Sequence, residues 1–356
     1  MKKIFNKIRT DIGRSIPPVG DRAQLEKIKR IIAEADVVHN NAFLAFTGDK
    51  RFMLSETERS FIMFGVRGRA WIAVGPAIGQ ATEVAALETQ FIATARKSRA
   101  FPSFYGVTAA DASRLEKAGL MREKLGEKAT LELEGYSFSG RGKRDIRSAR
   151  NKAIDADCRF EILDAPKAQA ISSKLKKISD NWLLSNESLE KKFSLGRFDE
   201  EYLKSFQMAV VFKDDEPIAF ANLWIKDAVV VIDMMRYVTP AQSGLMDYLF
   251  MEVIMWAQAK QFKIFDMGAA PLSGLTEQPS PSAVAKLGGL IFVKGGKFYN
   301  FTGVRKYKNK FDPNWEPLFI CAKSSLRAGA AALAVASLTG TGLRKRLSLP
   351  TLKLPK

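Results

Sequence analysis

The chain has one histidine, two cysteines and no long apolar run in 356 residues, and each shortage removes a class of mechanism. His39 stands in a polar His-Asn-Asn stretch. Any Ser-His-Asp or Cys-His mechanism would have to run through it alone, and a single imidazole makes no metal site. Cys158 and Cys321 lie far apart and in no ligand spacing, so a reduced protein is expected, with Cys321 a buried small apolar residue in the run 318–322. No stretch approaches the ~20 apolar residues that cross a bilayer; the longest, 328–336, is alanine-rich and starts beside Arg327. Acidic residues are also short: 38 against 56 basic ones leave +18. A field of that sign gathers nucleic acid, anionic lipid or phosphorylated substrates.

With 46% hydrophobic and 26% charged residues, the chain is globular and long enough for two domains or one fold duplicated. An N-terminal arm, 1–20, sets Lys2, Lys3, Lys7, Arg9 and Arg14 among Ile4, Phe5, Ile8 and Ile12; it reads as an interfacial anchor or as a frayed polar terminus. A first domain, 21–135, is expected to run as a helix (21–36), short strands (43–47, 52–55, 60–66, 70–74), a helix (82–98), a strand (103–107), a helix (110–118) and a strand near 129–133. A second, 136–323, follows a similar order, with helix 143–156, strand 159–163, helices 166–185 and 199–205, strands 208–213, 217–225 and 229–237 joined by tight turns, helix 244–260, strand 263–267 and helix 282–290. A basic helix and tail fill 324–356. Three antiparallel strands, a helix and a further strand is the core order of GNAT-type acyltransferases. The expected fold class is therefore α/β (α+β), with tandem GNAT-like units whose mixed, mostly antiparallel sheets are flanked by helices.

Five stretches carry chemistry. The β-branched run 229–237 ends in Asp233 and Arg236, charges that need compensation near a sheet centre. Three apart on a strand, they face opposite sides unless a bulge intervenes; they are a structural ion pair with another helix, or they face a substrate channel. The small-residue loop 268–275, with Gly268 and Ser273, permits close approach of a ligand. The stretch 294–311 interleaves Phe298, Tyr299, Phe301 and Tyr307 with Lys297, Arg305, Lys306, Lys308 and Lys310, a phosphate- and base-gripping pattern or a solvated basic helix. On helix 143–156, Lys143, Arg147 and Arg150 share a face beside Arg144, as a phosphate stripe or an ordinary exposed helix. An acetyl-CoA enzyme of this fold wants a Gly-rich pyrophosphate loop at 239–247, where only Gly244 is in register and Leu245, Met246 and Asp247 are bulkier. Coenzyme A is thus disfavoured, and neither cofactor nor metal is expected.

Taken in order, several motifs resemble one family: Gly48-Asp49-Lys50, Leu125-Gly-Glu-Lys-Ala129, the arginine-rich helix at 144–152, Phe193-Ser-Leu-Gly196, Asp233-Met-Met-Arg236 and Met246-Asp-Tyr-Leu249. They continue through Ala270-Pro-Leu-Ser-Gly274, Phe298-Tyr-Asn-Phe301 and Lys-x-Lys-Phe-x-Pro-x-Trp-Glu-Pro at 308–317. Over about residues 25–320 the chain is similar to the C-terminal synthase domain of the lysyl- and alanyl-phosphatidylglycerol synthases, the multiple peptide resistance factor family. The resemblance implies transfer of lysine or alanine from aminoacyl-tRNA to phosphatidylglycerol, altering membrane surface charge, by a cytoplasmic enzyme peripheral at the inner membrane face. The family's Asp-x-x-Arg pair falls on Asp233 and Arg236, and its basic motif on Lys308 and Lys310. The expected catalytic groups are Asp233, Arg236 and Lys308. Asn222, Asp247, Gly268, Ser273, Tyr299, Asn300, Arg305 and Lys310 are expected against the substrates, and Lys143, Arg144, Arg147 and Arg150 on tRNA phosphates.

The chain also departs from the family. Members usually carry an N-terminal membrane region that flips the product, work expected here of a separate flippase. Leu318-Phe319 stand where Arg-Tyr is common, and Gly296 where an acid is common. The same residues also fit a GNAT-fold transferase with another lipid, a peptide or an acyl-CoA as reactant, or a non-catalytic basic module for membrane or RNA.

Overall fold

Local signals build the elements in the computed structural model, which describes residues 19–186, 189–275 and 301–340. Residues 1–18 of the N-terminal arm, the 282–290 helix and the tail beyond 340 lie outside the described residues. Helix α1 (Arg22–Glu34) starts at Asp21, whose carboxylate accepts the Gln24 amide at 2.9 Å. The run read as a strand at 43–47 is instead a 3-10 turn (Ala42–Thr47) closed by a left-handed Gly48; its residues pack inward together instead of alternating across a sheet. There follow β1 (Arg51–Leu54), β2 (Phe61–Arg67), β3 (Ala70–Val74), α2 (Ala81–Lys97), β4 (Phe101–Val107), α3 (Ala109–Lys117) and β5 (Met121–Glu132). The second half has α4 (Arg144–Asp155), β6 (Arg159–Leu163), α5 (Ala165–Ala170), α6 (Ser172–Ser185) and α7 (Glu200–Leu203). It continues with β7 (Gln207–Lys213), β8 (Glu216–Lys226), β9 (Val229–Tyr237), α8 (Leu245–Ala259), β10 (Ile264–Pro271), α9 (Phe301–Asn309), β11 (Asn314–Ala322) and α10 (Ser325–Thr339). Asp214 and Asp215 take positive φ (49° and 60°) between β7 and β8, the geometry a two-residue hairpin turn requires.

The eleven strands form one sheet in the order β1-β2-β3-β4-β11-β5-β10-β9-β8-β7-β6. Each half shows three antiparallel strands, a helix, and a strand parallel to the third: β3 with β4, β9 with β10. The last strand of each half then crosses into the other. β11 lies between β4 and β5, and β5 lies between β10 and β11, so an antiparallel β5–β11 pair sits at the centre of an approximate two-fold arrangement. The fold is mixed α/β with GNAT-like units joined through this exchange. β5 is longer than the sequence pattern suggests because it serves two neighbours at once: Gly126 faces Pro271 on one side and Leu318 on the other.

One sheet face is covered by α2 and α3, where Phe91 of α2 packs on Phe64, Trp71 and Phe104, and by α4, α8 and α9, where Phe311 joins the cluster over Phe265. The opposite face is a single core shared by both halves, where Phe43 meets Trp224 at 5.9 Å and Phe206 at 6.3 Å. Burying each such side chain is worth about 1.5–3 kcal/mol, which ties the halves together. Among the described residues no helix is long and apolar enough to cross a membrane.

Candidate functional site

Parallel strands β9 and β10 pair only where Val229–Val231 meet Ile264–Asp266. Beyond that point β10 bulges against β5, while β9 continues beside β8 to Tyr237. The sheet therefore opens between the two strands. Within β9 the register shifts: Ala221 faces Met235 and Leu223 faces Ile232, so Asp233 and Met234 stand against Asn222 alone. This bulge puts Asp233 and Arg236 on one face, which a spacing of three on a regular strand does not.

Asp233 is held by three donors. Tyr202 Oη (2.7 Å) and Asn222 Nδ2 (3.1 Å) reach Oδ2, and the Gly196 amide (3.0 Å) reaches Oδ1. A Cβ at Gly196 would run into that carboxylate, so only glycine fits there. Burial pushes the Asp233 pKa up against these hydrogen bonds and the nearby Arg236 charge. The loop carrying Gly196 is fastened from the first half. The Phe193 amide donates to Asp49 Oδ2 at 2.7 Å, and Lys50 donates to Asp49 Oδ1 (2.5 Å) and Thr47 Oγ1 (2.8 Å) beneath the Phe193 ring. Two motifs far apart in sequence, Gly48-Asp49-Lys50 and Phe193-Ser-Leu-Gly196, are thus one clamp. Burial draws Lys50 down to about 8.

Arg236 is 8% exposed and stacks over the Trp182 ring at 4.3 Å. Its acidic hydrogen-bond partner is Glu190 Oε2, 3.3 Å from Nη2, so the ion pair read from sequence runs to the loop after α6. Tyr237 links this group to the other sheet face: its ring meets Trp182 at 6.4 Å and lines a pocket of ≈ 280 Å³ with Asp247, Tyr307 and Lys310. That pocket sits at the start of α8, where Gly244 supplies no capping side chain. Lys310 Nζ bridges both Asp247 oxygens at 3.0 and 2.8 Å.

Lys308 lies at the opening itself. Its ammonium donates to the Gly268 and Ala269 carbonyls at 2.8 and 2.9 Å, on the stretch of β10 that has left β9. Burial lowers its pKa to about 8, partly offset by buried Asp266. Among the described residues, only the Lys308 nitrogen comes within 4 Å of the place where a Gly268 Cβ would stand, so among these the glycine leaves space beside the amine. Asp266 is fixed by Asn40 Nδ2 (2.5 Å) and the Gly268 amide (2.7 Å).

Other expected residues serve elsewhere. Ser273 donates to Glu127 Oε2 at 2.6 Å, Arg305 pairs with the same carboxylate and stacks on Trp315 at 4.5 Å, and Lys124 joins Glu127 to the Gly274 carbonyl. This network braces the 270–274 loop. In the α4 stripe, Lys143 turns inward to the Lys310 carbonyl (3.2 Å), Arg147 holds the Phe138 and Gly140 carbonyls, and Arg150 pairs with Glu252 at 2.6 Å. Arg144 is exposed. Tyr299 and Asn300, with Lys297 and Phe298, lie outside the described residues. Sequence reasoning missed Glu190, Trp182, Tyr202, Asp266 and the bracing role of Glu127. Of these only Glu127 stands in a family-like motif; the others have no local signal.

A family profile described as phosphatidylglycerol lysyltransferase, C-terminal, matches residues 29–322. A phosphatidylglycerol lysyltransferase of Staphylococcus xylosus is 33% identical over 281 residues, covering 78% of this chain and 33% of that protein. The chain spans about a third of the length of the curated relatives it matches. Among solved structures, a C-terminal DUF2156 domain from Agrobacterium fabrum shares 32% identity at a TM-score of 0.79, covering 89% of this chain and 97% of that one. L-PGS from Bacillus licheniformis shares 27% at 0.82, covering 91% and 98%.

Proposed function

Since the chain belongs to the phosphatidylglycerol lysyltransferase C-terminal family, we propose that it moves an amino acid from a charged tRNA to the glycerol hydroxyl of phosphatidylglycerol at the inner membrane face. One observation carries the reading: a buried amine with a pKa of about 8, Lys308, sits at the lip of the β9–β10 opening with space beside it. An aminoacyl ester is already activated, so the transfer needs positioning and proton movement without a covalent enzyme intermediate. Neutral Lys308 takes the proton of the attacking glycerol hydroxyl as its oxygen bonds to the ester carbonyl carbon. When the adduct collapses, the bond to the terminal ribose oxygen breaks and Lys308 returns the proton to that oxygen.

Asp233, already holding three donors, is a positioning residue in this scheme. Arg236 takes the lipid phosphate. Exposed Arg144 and Lys306 meet tRNA phosphates on the α4–α9 side, and the pocket at the start of α8 receives the aminoacyl end, with Asp247 facing its ammonium. The product gains a cationic group and makes the membrane surface less negative.

The test is incubation of labelled aminoacyl-tRNA with phosphatidylglycerol vesicles, followed by separation of lipid products. No labelled lipid from any charged tRNA overturns the function. Lys308→Arg keeps the cation but cannot give up its proton, so transfer should fall on the order of 10²–10⁴-fold; wild-type turnover would remove Lys308 as the base. Because the neutral amine is the active form, the rate should climb from pH 7 through about 8.

A further inference from the structure

At the end of α6 two buried donors have no acceptor among the described residues: Arg236 Nε and Trp182 Nε1. They are neighbours, since the guanidinium lies 4.3 Å over the Trp182 ring. A buried N–H without a partner costs about 1–3 kcal/mol, so the pair is built for an acceptor that arrives from outside. Among the described residues, the acidic side chain bonded to Arg236 is Glu190, at 3.3 Å from Nη2, a long contact for a charged pair. Lys191 lies close enough for the Arg236 charge to help lower its pKa, after burial. Arg236 and Lys191 are the cations of this cluster, and Glu190 and Asp233 its acids.

Close in sequence to this cluster stand two exposed apolar side chains. Leu184 is 81% and Leu189 78% exposed, two of the most exposed large apolar side chains described. Residues 192–194 are anchored to α10 by Lys192 N to the Thr339 carbonyl (3.2 Å) and by the Ser194–Thr339 hydroxyl contact (2.8 Å), which holds the chain just after Leu189. Two exposed leucines close in sequence to cations and unfilled donors match a surface that is apolar inside and phosphate-bearing outside.

We propose that the rim formed by Leu184, Leu189 and Lys191 docks on an anionic phospholipid surface, where a lipid phosphodiester takes the Arg236 and Trp182 N–H donors in place of Glu190. The proposal rests on the lipid acceptor of the proposed function and adds where and how the lipid is met. Vesicle binding of the whole chain tests it without reading catalysis, using vesicles of phosphatidylglycerol and of phosphatidylcholine. Leu184→Asp/Leu189→Asp should weaken binding to phosphatidylglycerol vesicles about tenfold or more. Met121→Asp, at a similarly apolar exposed position away from the rim, should leave it within about twofold. Trp182→Phe keeps a ring under the guanidinium but removes the donor, and should cost about fivefold on phosphatidylglycerol and no more than that on phosphatidylcholine, whose headgroup carries the same phosphodiester. Glu190→Gln should strengthen binding about threefold, because the phosphate no longer competes with a carboxylate; a purely structural ion pair predicts unchanged or weaker binding. Wild-type affinity in the double leucine variant, or unchanged or weaker binding in Glu190→Gln, overturns the proposal. Absence of aminoacyl lipid product from a wild-type chain that docks as described would instead sink the transferase reading and leave the rim intact.

Discussion

The two halves share an order of elements and differ in what they leave open. In the first, β3 pairs with β4 along its whole length, Ala70 to Val74, and the Gly75 amide adds a bond to the Tyr105 carbonyl at 2.8 Å. In the second, β9 leaves β10 after three residues. β3 is apolar and buried throughout, whereas β9 carries Asp233 and Arg236. The start of α2 is occupied by the protein's own acids: Asp36 accepts the Ala81 amide at 3.1 Å, and Glu83 takes the Thr57 and Ser60 hydroxyls at 2.6 Å each. The start of α8 has no such cap and faces a pocket. The His39 ring packs so closely on Gly75, at the end of β3, that a Cβ there would meet it at 2.5 Å. One half is therefore closed scaffold and the other holds the opening, and the closed half still supplies the clamp and the brace through Asp49, Lys50 and Glu127. Duplication of a fold does not duplicate a site when local caps and full strand pairing fill one copy.

The comparison can be broken by substitution, beginning with the clamp. Lys50→Met leaves Asp49 without its buried cation and should cost about 3 kcal/mol, seen as a lower urea midpoint; a neutral result would show that the first half does not hold the second. His39 comes next, since burial draws its pKa from 6.5 to about 4. Between those values the unfolded chain binds a proton that the folded chain refuses, so stability falls as pH drops from 6.5 towards 4, by up to about 3 kcal/mol. In His39→Gln this part of the acid loss should vanish from urea midpoints followed against pH. At the open end, Asp247→Asn frees Lys310 and removes the ammonium's partner, and should slow aminoacyl transfer about tenfold. Its counterpart at the closed end, Asp36→Ala, should cost about 1 kcal/mol and leave transfer unchanged. Equal kinetic effects from these last two would erase the distinction between the helix starts.

Much of the fold was legible because its signals are local. The β-branched run 229–237 and the strand at 159–163 have the bounds expected, and β7 and α8 differ by a residue at their ends. The 43–47 run misled because five consecutive residues with four apolar side chains suit a strand or a buried tight turn alike. β11 was missed because Pro317 interrupts its pattern and its partners, β4 and β5, lie about 200 residues away. For the site, the motifs marked the right neighbourhood but not the roles. Ser273 and Arg305 read as substrate contacts and are tied to Glu127; the 143–150 stripe read as a phosphate surface, and Lys143, Arg147 and Arg150 are engaged within the protein.

By itself the sequence determined the element types, the hairpin turns, the cationic surplus and the ordered motifs, since each depends on neighbouring residues or on composition alone. Tertiary structure decided that a bulge sets Asp233 and Arg236 on one face, that each half ends inside the other, and that Lys308 carries a pKa near 8. Register depends on the partner strand and desolvation on everything packed around a charge. Both are supplied by residues remote in the chain, and come into being only when it folds.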